Sequence, residues 1–336
     1  MYTLRLPHYM FTERNRMSKL SIVIPVYFNQ GELLPLYEDM NKKALKPILD
    51  GGGDYEIIMV DDGSEDKSWD EMNQLFEMDN RIHLYHLSRN FGEHHAILCG
   101  YTKCTGDCVI NKAADLQEPS ELILDMFKKW KEGFNVVLAV REKREEGFMQ
   151  QFFANFYYWV TRKIAFPQMP KGGFNIHLLD KRAVTVLLNM DETNIALEGQ
   201  ILWLGFKSTT VPYVRKARQI GKSRWTLKKK MKCFFDMMFT NSDVPIKCVG
   251  LLGGVISISS LILILITFFK WLIVGEPVEG WTSLFIVILL AFGIIMITMS
   301  ILGSYIWRCF ESVKRKPVFI IENERTHQKD DDQNNR

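Results

Sequence analysis

The sequence predicts an α/β domain built on a mostly parallel sheet, followed by a C-terminal hairpin of two transmembrane helices. Three observations carry this. Short β-branched runs alternate with helix-period segments from Ser21 to Val140, the pattern of strands joined by crossover helices. Two segments, Val249–Phe269 and Trp281–Trp307, hold no charged residue, and each reaches the roughly 20 residues needed to cross bilayer hydrocarbon. A chain of 336 residues, 47% hydrophobic and 24% charged, has room for both parts.

The elements follow in order. Residues 1–18 are mixed and basic, with Pro7 and no apolar run, so they are expected as a flexible extension without a signal peptide. The α/β domain is expected over 19–212. Ser21–Tyr27 is a β-branched run stopped by Pro25, a first strand. Glu32–Lys46 places Leu33, Leu36, Tyr37, Met40 and Leu45 on one helical side, and Gly51–Gly53 breaks it. Tyr55–Val60 is a second strand running into the turn Asp61-Asp62-Gly63-Ser64, and a capped helix spans about Ser68–Met78. Ile82–Leu87 is a third strand, Asn90–Gly100 opens a helix, and Cys108–Lys112 is a fourth strand. Pro119–Lys131 is helical and Asn135–Val140 is a fifth strand. Gly147–Phe166 is aromatic and amphipathic, either a core helix or one lying at a membrane interface. Arg182–Leu188 and Gly199–Phe206 add further packing elements.

Residues 213–247 form a basic juxtamembrane segment; Arg215–Lys232 holds nine Lys or Arg and no acid. The spanning helices are expected over about 249–271 and 281–307, with Trp271, Trp281 and Trp307 near their ends as an aromatic belt. Lys228, Lys229, Lys230 and Lys232 flank one side, and Arg308, Lys314, Arg315 and Lys316 the other. The positive-inside rule then places both flanks, the α/β domain and both termini in the cytoplasm. Residues 310–336 read as a cytoplasmic tail, polar from Lys329 onward. The six cysteines lack disulfide or zinc spacing and read as reduced thiols. The net charge of +3 is modest, and no nucleic-acid partner is expected.

The chemistry concentrates where strands end. In such sheets ligands sit beyond the carboxyl ends of the strands, where Asp61, Arg89 and Asp115 all fall. Asp115 and Gln117, two apart in Ala114-Asp115-Leu116-Gln117-Glu118-Pro119, can turn a carboxylate and an amide oxygen to one side. Such oxygens suit Mg²⁺ or Mn²⁺ holding a substrate diphosphate. His94 and His95 read as surface or packing residues, since no further ligands stand at zinc spacing.

SIVIPVYFN (21–29), DDGS (61–64), LSRNFG (87–92), ADLQEP (114–119), Arg218 with GKSRW (221–225) and the apolar hairpin, in this order, resemble glycosyltransferase family 2. That resemblance covers about residues 19–316 and implies the nucleotide-diphospho-sugar (GT-A, Rossmann-like) fold. Within the family the chain is similar to dolichyl-phosphate mannose synthases and bacterial polyprenyl-phosphate glycosyltransferases. The resemblance implies donor contacts at Pro25, Tyr27, Asn29, Glu32, Asp61, Asp62, Gly63, Arg89, Ala114 and Asp115. It implies metal and diphosphate binding at Asp115 and Gln117, and catalytic roles for Asp115, Arg218, Lys222 and Arg224. Acceptor phosphate contacts are expected at Arg141, Arg144, Arg218 and Ser223.

The implied reaction is attack by a polyprenyl phosphate on a nucleotide sugar, with UDP the donor nucleotide implied by analogy and inversion at one carbon. The phosphate is anionic near neutral pH (second pKa about 6), so no strong general base is required. The implied setting is the bacterial cytoplasmic membrane, with a nucleotide sugar, polyprenyl phosphate and the bilayer as partners and a homo-oligomer as the assembly. Three positions depart from the family pattern: Ala113 replaces the first acid of Asp-x-Asp, Asn175 stands where an acid is expected, and Glu198 stands where relatives carry Arg. They motivate an alternative, a non-catalytic membrane protein that binds sugar nucleotide or a partner. A processive polysaccharide synthase is disfavoured, because four residues separate Gln219 from Arg224-Trp225 and only two spans are present.

Overall fold

The computed structural model describes residues 17–142, 162–163, 167–170, 172–190, 197–215, 280–314 and 316–327, with scattered positions between 251 and 273. The chain divides into two units, residues 1–229 with 317–336, and residues 230–316.

The first unit is organised by an eight-stranded sheet: β1 (Lys19–Val26), β2 (Asp54–Asp61), β3 (Ile82–Leu87), β4 (Cys108–Asn111), β5 (Val136–Arg141), β6 (Phe174–Asp180), β7 (Ser208–Tyr213) and β8 (Ile321–Arg325). Their spatial order is β7-β5-β6-β4-β1-β2-β3-β8. The pairs β1–β2, β1–β4, β2–β3 and β5–β7 are parallel, so the sheet is mostly parallel as predicted. The central strand β1 is apolar on both faces, with Leu20, Ile22, Val23, Ile24 and Val26 all buried. A strand covered on both faces reads as a continuous apolar run, which is why it was visible in the sequence.

Helices cover the sheet. The predicted Glu32–Lys46 helix is α1 (Leu33–Met40), which passes through a π-helical turn, Asn41–Leu45, into α2 (Lys46–Asp50). Pro47 cannot donate to the preceding turn, and the widened turn lets the helix continue past it. Next come α3 (Ser68–Met78), α4 (Glu93–Lys103) and α5 (Glu121–Lys131). Helix α5 buries Leu122, Ile123, Met126, Phe127 and Trp130, and the Trp130 indole N–H donates to Asp180 Oδ2 at 3.0 Å. Helix α4 lies directly on β1: a Cβ on Gly100 would stand 2.3 Å from Val23 Cγ1. Helices α6 (Lys181–Leu188) and α7 (Leu197–Trp203) complete the described set in this unit.

Three strands escape the sequence pattern: β6, β7, which pairs parallel with β5, and β8. Strand β6 inserts antiparallel between β4 and β5. Its interior His177 breaks the apolar reading, yet the ring is buried and sits 2.6 Å from the Tyr101 hydroxyl. Strand β8 lies within the expected tail and pairs antiparallel with β3 at the sheet edge. Its sequence, IENER, has no run to announce a strand; tertiary contacts hold it instead. Arg325 donates to Asn73 at 2.6 Å and Glu77 at 2.7 Å, and the His327 ring stacks on Phe76 at 3.7 Å.

In the second unit, α8 (Trp281–Val313) is a helix of 33 residues. Its stretch Leu290–Trp307 is long and apolar enough to cross a membrane, and among the described residues it alone is so. The described positions of the first predicted span, from Leu251 to Ile273, are helical, but most of that span and most of Gly147–Phe166 lie outside the described residues.

Candidate active site

The parallel strands β1, β2, β3 and β4 deliver loops to one edge of the sheet, as do β5 and β7. At the end of β1, Phe28 adopts a left-handed φ of 55°, uncommon for a bulky residue. Its N–H donates to Ser64 Oγ at 2.9 Å, the Tyr27 N–H to Asn29 Oδ1 at 2.9 Å, and the Asn29 N–H to Ser68 Oγ at 2.9 Å. The Asn29 amide donates to the buried Glu32 carboxylate. Asn29 and Glu32 thus brace the loop, while Pro25 lies in β1 opposite Val60.

At the end of β2 the paired aspartates face different neighbours. Asp61 has no solvent exposure. Its Oδ1 accepts from the Ser64 N–H at 3.1 Å and hydroxyl at 2.5 Å, and its Oδ2 lies 2.7 Å from His86 Nδ1. A carboxylate only accepts, so His86 Nδ1 is assigned the proton. Asp62 accepts the Phe91 N–H at 2.7 Å and the Gly92 N–H at 2.9 Å. Burial pushes its carboxyl up to about 6 against the pull of those two amides. Gly63 has a φ of +72°, and a Cβ there would meet the Arg89 carbonyl carbon at 2.6 Å. The β2 and β3 loops are therefore in backbone contact, which needs glycine. Arg89 is exposed and stacks its guanidinium on Phe91, 4.2 Å from the ring centre.

The loop after β4 is held from below. Lys112 is 1% exposed, and its ammonium donates to the Glu118 carbonyl at 2.7 Å. Burial pushes the Lys112 ammonium down and the Glu118 carboxyl up. Above this tie Leu116 takes a left-handed φ of 56°, and the Gln117 N–H donates to Asp115 Oδ1 at 3.2 Å. A bulky residue held in that region marks a loop whose shape is imposed by its surroundings. Ala114 is buried beside Asp115.

Asp115 and Gln117 meet a third residue. Arg215, just beyond β7, places one guanidinium nitrogen on Gln117 Oε1 and 3.7 Å from Asp115 Oδ2. Arg141 ends β5, in register with Tyr213, and its Nε donates to the Tyr213 hydroxyl at 3.2 Å. Arg141 and Arg215 both draw the Glu118 carboxyl down against burial. The loop after β4 and the residues after β7 thus join two oxygens to the Arg215 guanidinium, with Arg141 tied to Tyr213 at the ends of β5 and β7. Sequence reading left Arg215 within the basic run, because β7, the strand it follows by two residues, was not itself legible. His86 and Lys112 were also missed, the first inside a strand and the second beside the motif. Arg144, Arg218, Lys222, Ser223 and Arg224 lie outside the described residues. Of the departures, Asn175 is exposed at the start of β6, and Glu198 Oε1 lies 3.7 Å from His94 Nε2.

A divalent cation fits the donor set in kind. Among the described residues no three His, Cys, Asp or Glu side chains converge, so the chain offers the Asp115 carboxylate and Gln117 amide oxygen. Mg²⁺ and Mn²⁺ accept such hard oxygens, with substrate phosphates and water filling the other positions. The Arg215 guanidinium already bonds Gln117 Oε1 and lies 3.7 Å from Asp115 Oδ2, so the two oxygens face one cationic group.

The glycosyl transferase family 2 profile matches residues 21–183. The chain is 33% identical over 310 residues to the uncharacterized glycosyltransferase YkcC of Bacillus subtilis, covering 92% of this chain and 94% of that protein. It is 30% identical over 310 residues to the bactoprenol glucosyl transferase of Shigella phage SfV, covering 91% of this chain and 99% of that one. Among solved structures, mannosyl-3-phosphoglycerate synthase from Rubrobacter xylanophilus aligns at 14% identity with a TM-score of 0.47, over 67% of this chain and 74% of that one. On the full-length sequence relatives, and with the site at the carboxyl edge of a mostly parallel α/β sheet, the chain belongs to glycosyl transferase family 2 and is a glycosyltransferase.

Proposed function

We propose that the protein transfers a sugar from a nucleotide-diphospho-sugar, with UDP the first donor nucleotide to test, to a polyprenyl phosphate at the cytoplasmic face of a bacterial membrane, inverting the anomeric centre. The observation that carries this reading is the alignment to a bactoprenol glucosyl transferase over 99% of that protein, C-terminal apolar region included.

An oxygen of the acceptor phosphate attacks the anomeric carbon. The bond from that carbon to the donor diphosphate breaks, and the nucleoside diphosphate leaves with the electron pair. One displacement inverts the centre, and the acceptor is already anionic near neutral pH. The Asp115 carboxylate and Gln117 amide would hold Mg²⁺ or Mn²⁺, which supplies positive charge against the departing diphosphate. Arg215 stands beside that pair and Arg141 ends the neighbouring strand β5; both suit phosphate oxygens, because a guanidinium offers planar paired donors. Arg144, Arg218, Lys222, Ser223 and Arg224 join them in this reading as phosphate contacts. Asp62, Arg89 and the Tyr27–Asn29 loop frame the nucleoside end.

The placing of β8 supports a membrane hairpin. Residues 230–316 leave the α/β unit and the chain returns to its sheet. A segment that starts and finishes on one side of a bilayer crosses it an even number of times. With α8 as one span, the apolar run at Val249–Phe269 is the natural second. A homo-oligomer remains part of the proposal through the hairpin.

The test is incubation of membranes carrying the protein with undecaprenyl phosphate and labelled UDP- and GDP-sugars, followed by mass spectrometry of the lipid fraction. A lipid-linked monosaccharide from at least one donor is expected, and Asp115→Ala should abolish it without loss of expression. No lipid-linked product from any donor would sink the proposal.

A further inference from the structure

We infer that Arg215 is the resident counter-ion of the Asp115–Gln117 oxygen pair, and that it moves to the donor diphosphate when a divalent cation takes its place. This rests on the reading above for Asp115 and Gln117 and adds how the site is kept charge-balanced without substrate.

Three observations converge. The guanidinium lies on Gln117 Oε1 and 3.7 Å from Asp115 Oδ2, the two oxygens that would serve the cation. Its Nε is buried and takes no hydrogen-bond partner among the described residues, so the group is held at one end and unsatisfied at the other. It stands two residues past Tyr213, whose hydroxyl accepts from Arg141 Nε, so both guanidinium groups belong to the carboxyl ends of the paired strands β5 and β7. The loss of the first acid at Ala113 sharpens the point. One carboxylate and one guanidinium balance, whereas two carboxylates would leave a net negative site.

A guanidinium is always charged, so it cannot yield by losing a proton. It and a divalent cation repel each other over the same two oxygens. They can share the site once the donor's diphosphate arrives to take the N–H donors of Arg215. Metal binding is then weak alone and strengthened by nucleoside diphosphate, and by thermodynamic reciprocity the nucleotide is strengthened equally by metal.

The experiment is titration of Mn²⁺ into the full-length protein in detergent, following free Mn²⁺ by electron paramagnetic resonance, with and without saturating UDP or GDP. Wild type should bind Mn²⁺ about tenfold more tightly with nucleotide present. Arg215→Gln and Arg215→Ala should bind Mn²⁺ alone about tenfold more tightly than wild type, with the nucleotide effect reduced, while Arg215→Lys keeps the wild-type pattern. If Mn²⁺ alone binds both neutral variants no better than wild type, while Asp115→Ala still abolishes binding, the counter-ion role is wrong and the metal assignment stands. If Asp115→Ala binds Mn²⁺ as wild type does, or no nucleotide confers Mn²⁺ binding on wild type, both fall.

Discussion

Replacing His86 with alanine removes a 2.7 Å hydrogen bond to a carboxylate that has no solvent exposure. The His86 side chain is 23% exposed, so water reaches the vacated position only from its outer side, while Asp61 itself stays buried. A hydrogen bond to a charged group contributes about 1.5–3 kcal/mol, so a loss near 2 kcal/mol is expected. For a domain of this size that lowers the melting temperature by roughly 4–8 °C. The damage should reach the proposed nucleotide site, because Asp61 holds Ser64 and Ser64 holds the Phe28 amide. Nucleotide affinity should therefore fall several-fold as well. The informative companions are His86→Asn and His86→Gln. An Asn amide nitrogen stands close to the position of Nδ1 and can still donate to Asp61; a Gln amide reaches past it toward Nε2, which lies 3.8 Å from Glu322. Thermal unfolding in detergent and calorimetric titration with UDP or GDP measure the two effects. Asn should recover most of both and Gln little. Asn no better than Ala, or Ala within about 0.5 kcal/mol of wild type, would refute the argument.

Gly63→Ala should cost about 3 kcal/mol, from a left-handed backbone and a Cβ 2.6 Å from the Arg89 carbonyl carbon, and should weaken nucleotide binding; a wild-type melting temperature would contradict it. Asp62, raised to about 6, keeps its proton in the folded chain between about pH 4 and 6, where the unfolded chain has lost it. Its contribution to stability is therefore present below pH 4 and lost as pH rises through 6, a fall of about 3 kcal/mol that Asp62→Asn should flatten in a pH series of melting curves. Glu56 accepts from Lys19, Ser21 and Thr105, which hold its carboxyl below the usual range against burial. Its contribution is present above the ordinary carboxylate range and lost as pH falls through the lowered folded value. Glu56→Ala should cost about 3 kcal/mol, the lower end for a broken buried pair because Lys19 reaches solvent. Turnover per folded molecule should be unchanged; a selective loss of catalysis would overturn the purely structural role.

How far the sequence could be read depended on the kind of force at work. Strands β1 to β5 and their helices were visible because burial on both faces writes continuous apolar runs. Asp115, Gln117 and Arg141 could be placed at strand ends, since strand ends follow from strands. Strand β6 was hidden because its buried His177 is satisfied by Tyr101, a residue 76 positions away. Strand β8 was hidden because ion pairs and ring stacking hold it, with no apolar period. Arg215 was hidden in a basic run that local pattern could not divide. His86 and Lys112 carry their significance in partners, Asp61 and the Glu118 carbonyl, that become neighbours through the fold.

The pairing of β8 with β3 also orders the life of the chain. Arg325 joins Asn73 across 252 residues, so the sheet cannot be closed until synthesis has passed Arg325. By then the apolar run of α8 has already emerged and can be captured by the membrane. Until then β3 is an open edge, with unpaired backbone groups able to capture another strand. Completion of the sheet is in this sense a late step, and a chain arrested before Ile321 would keep a sticky edge.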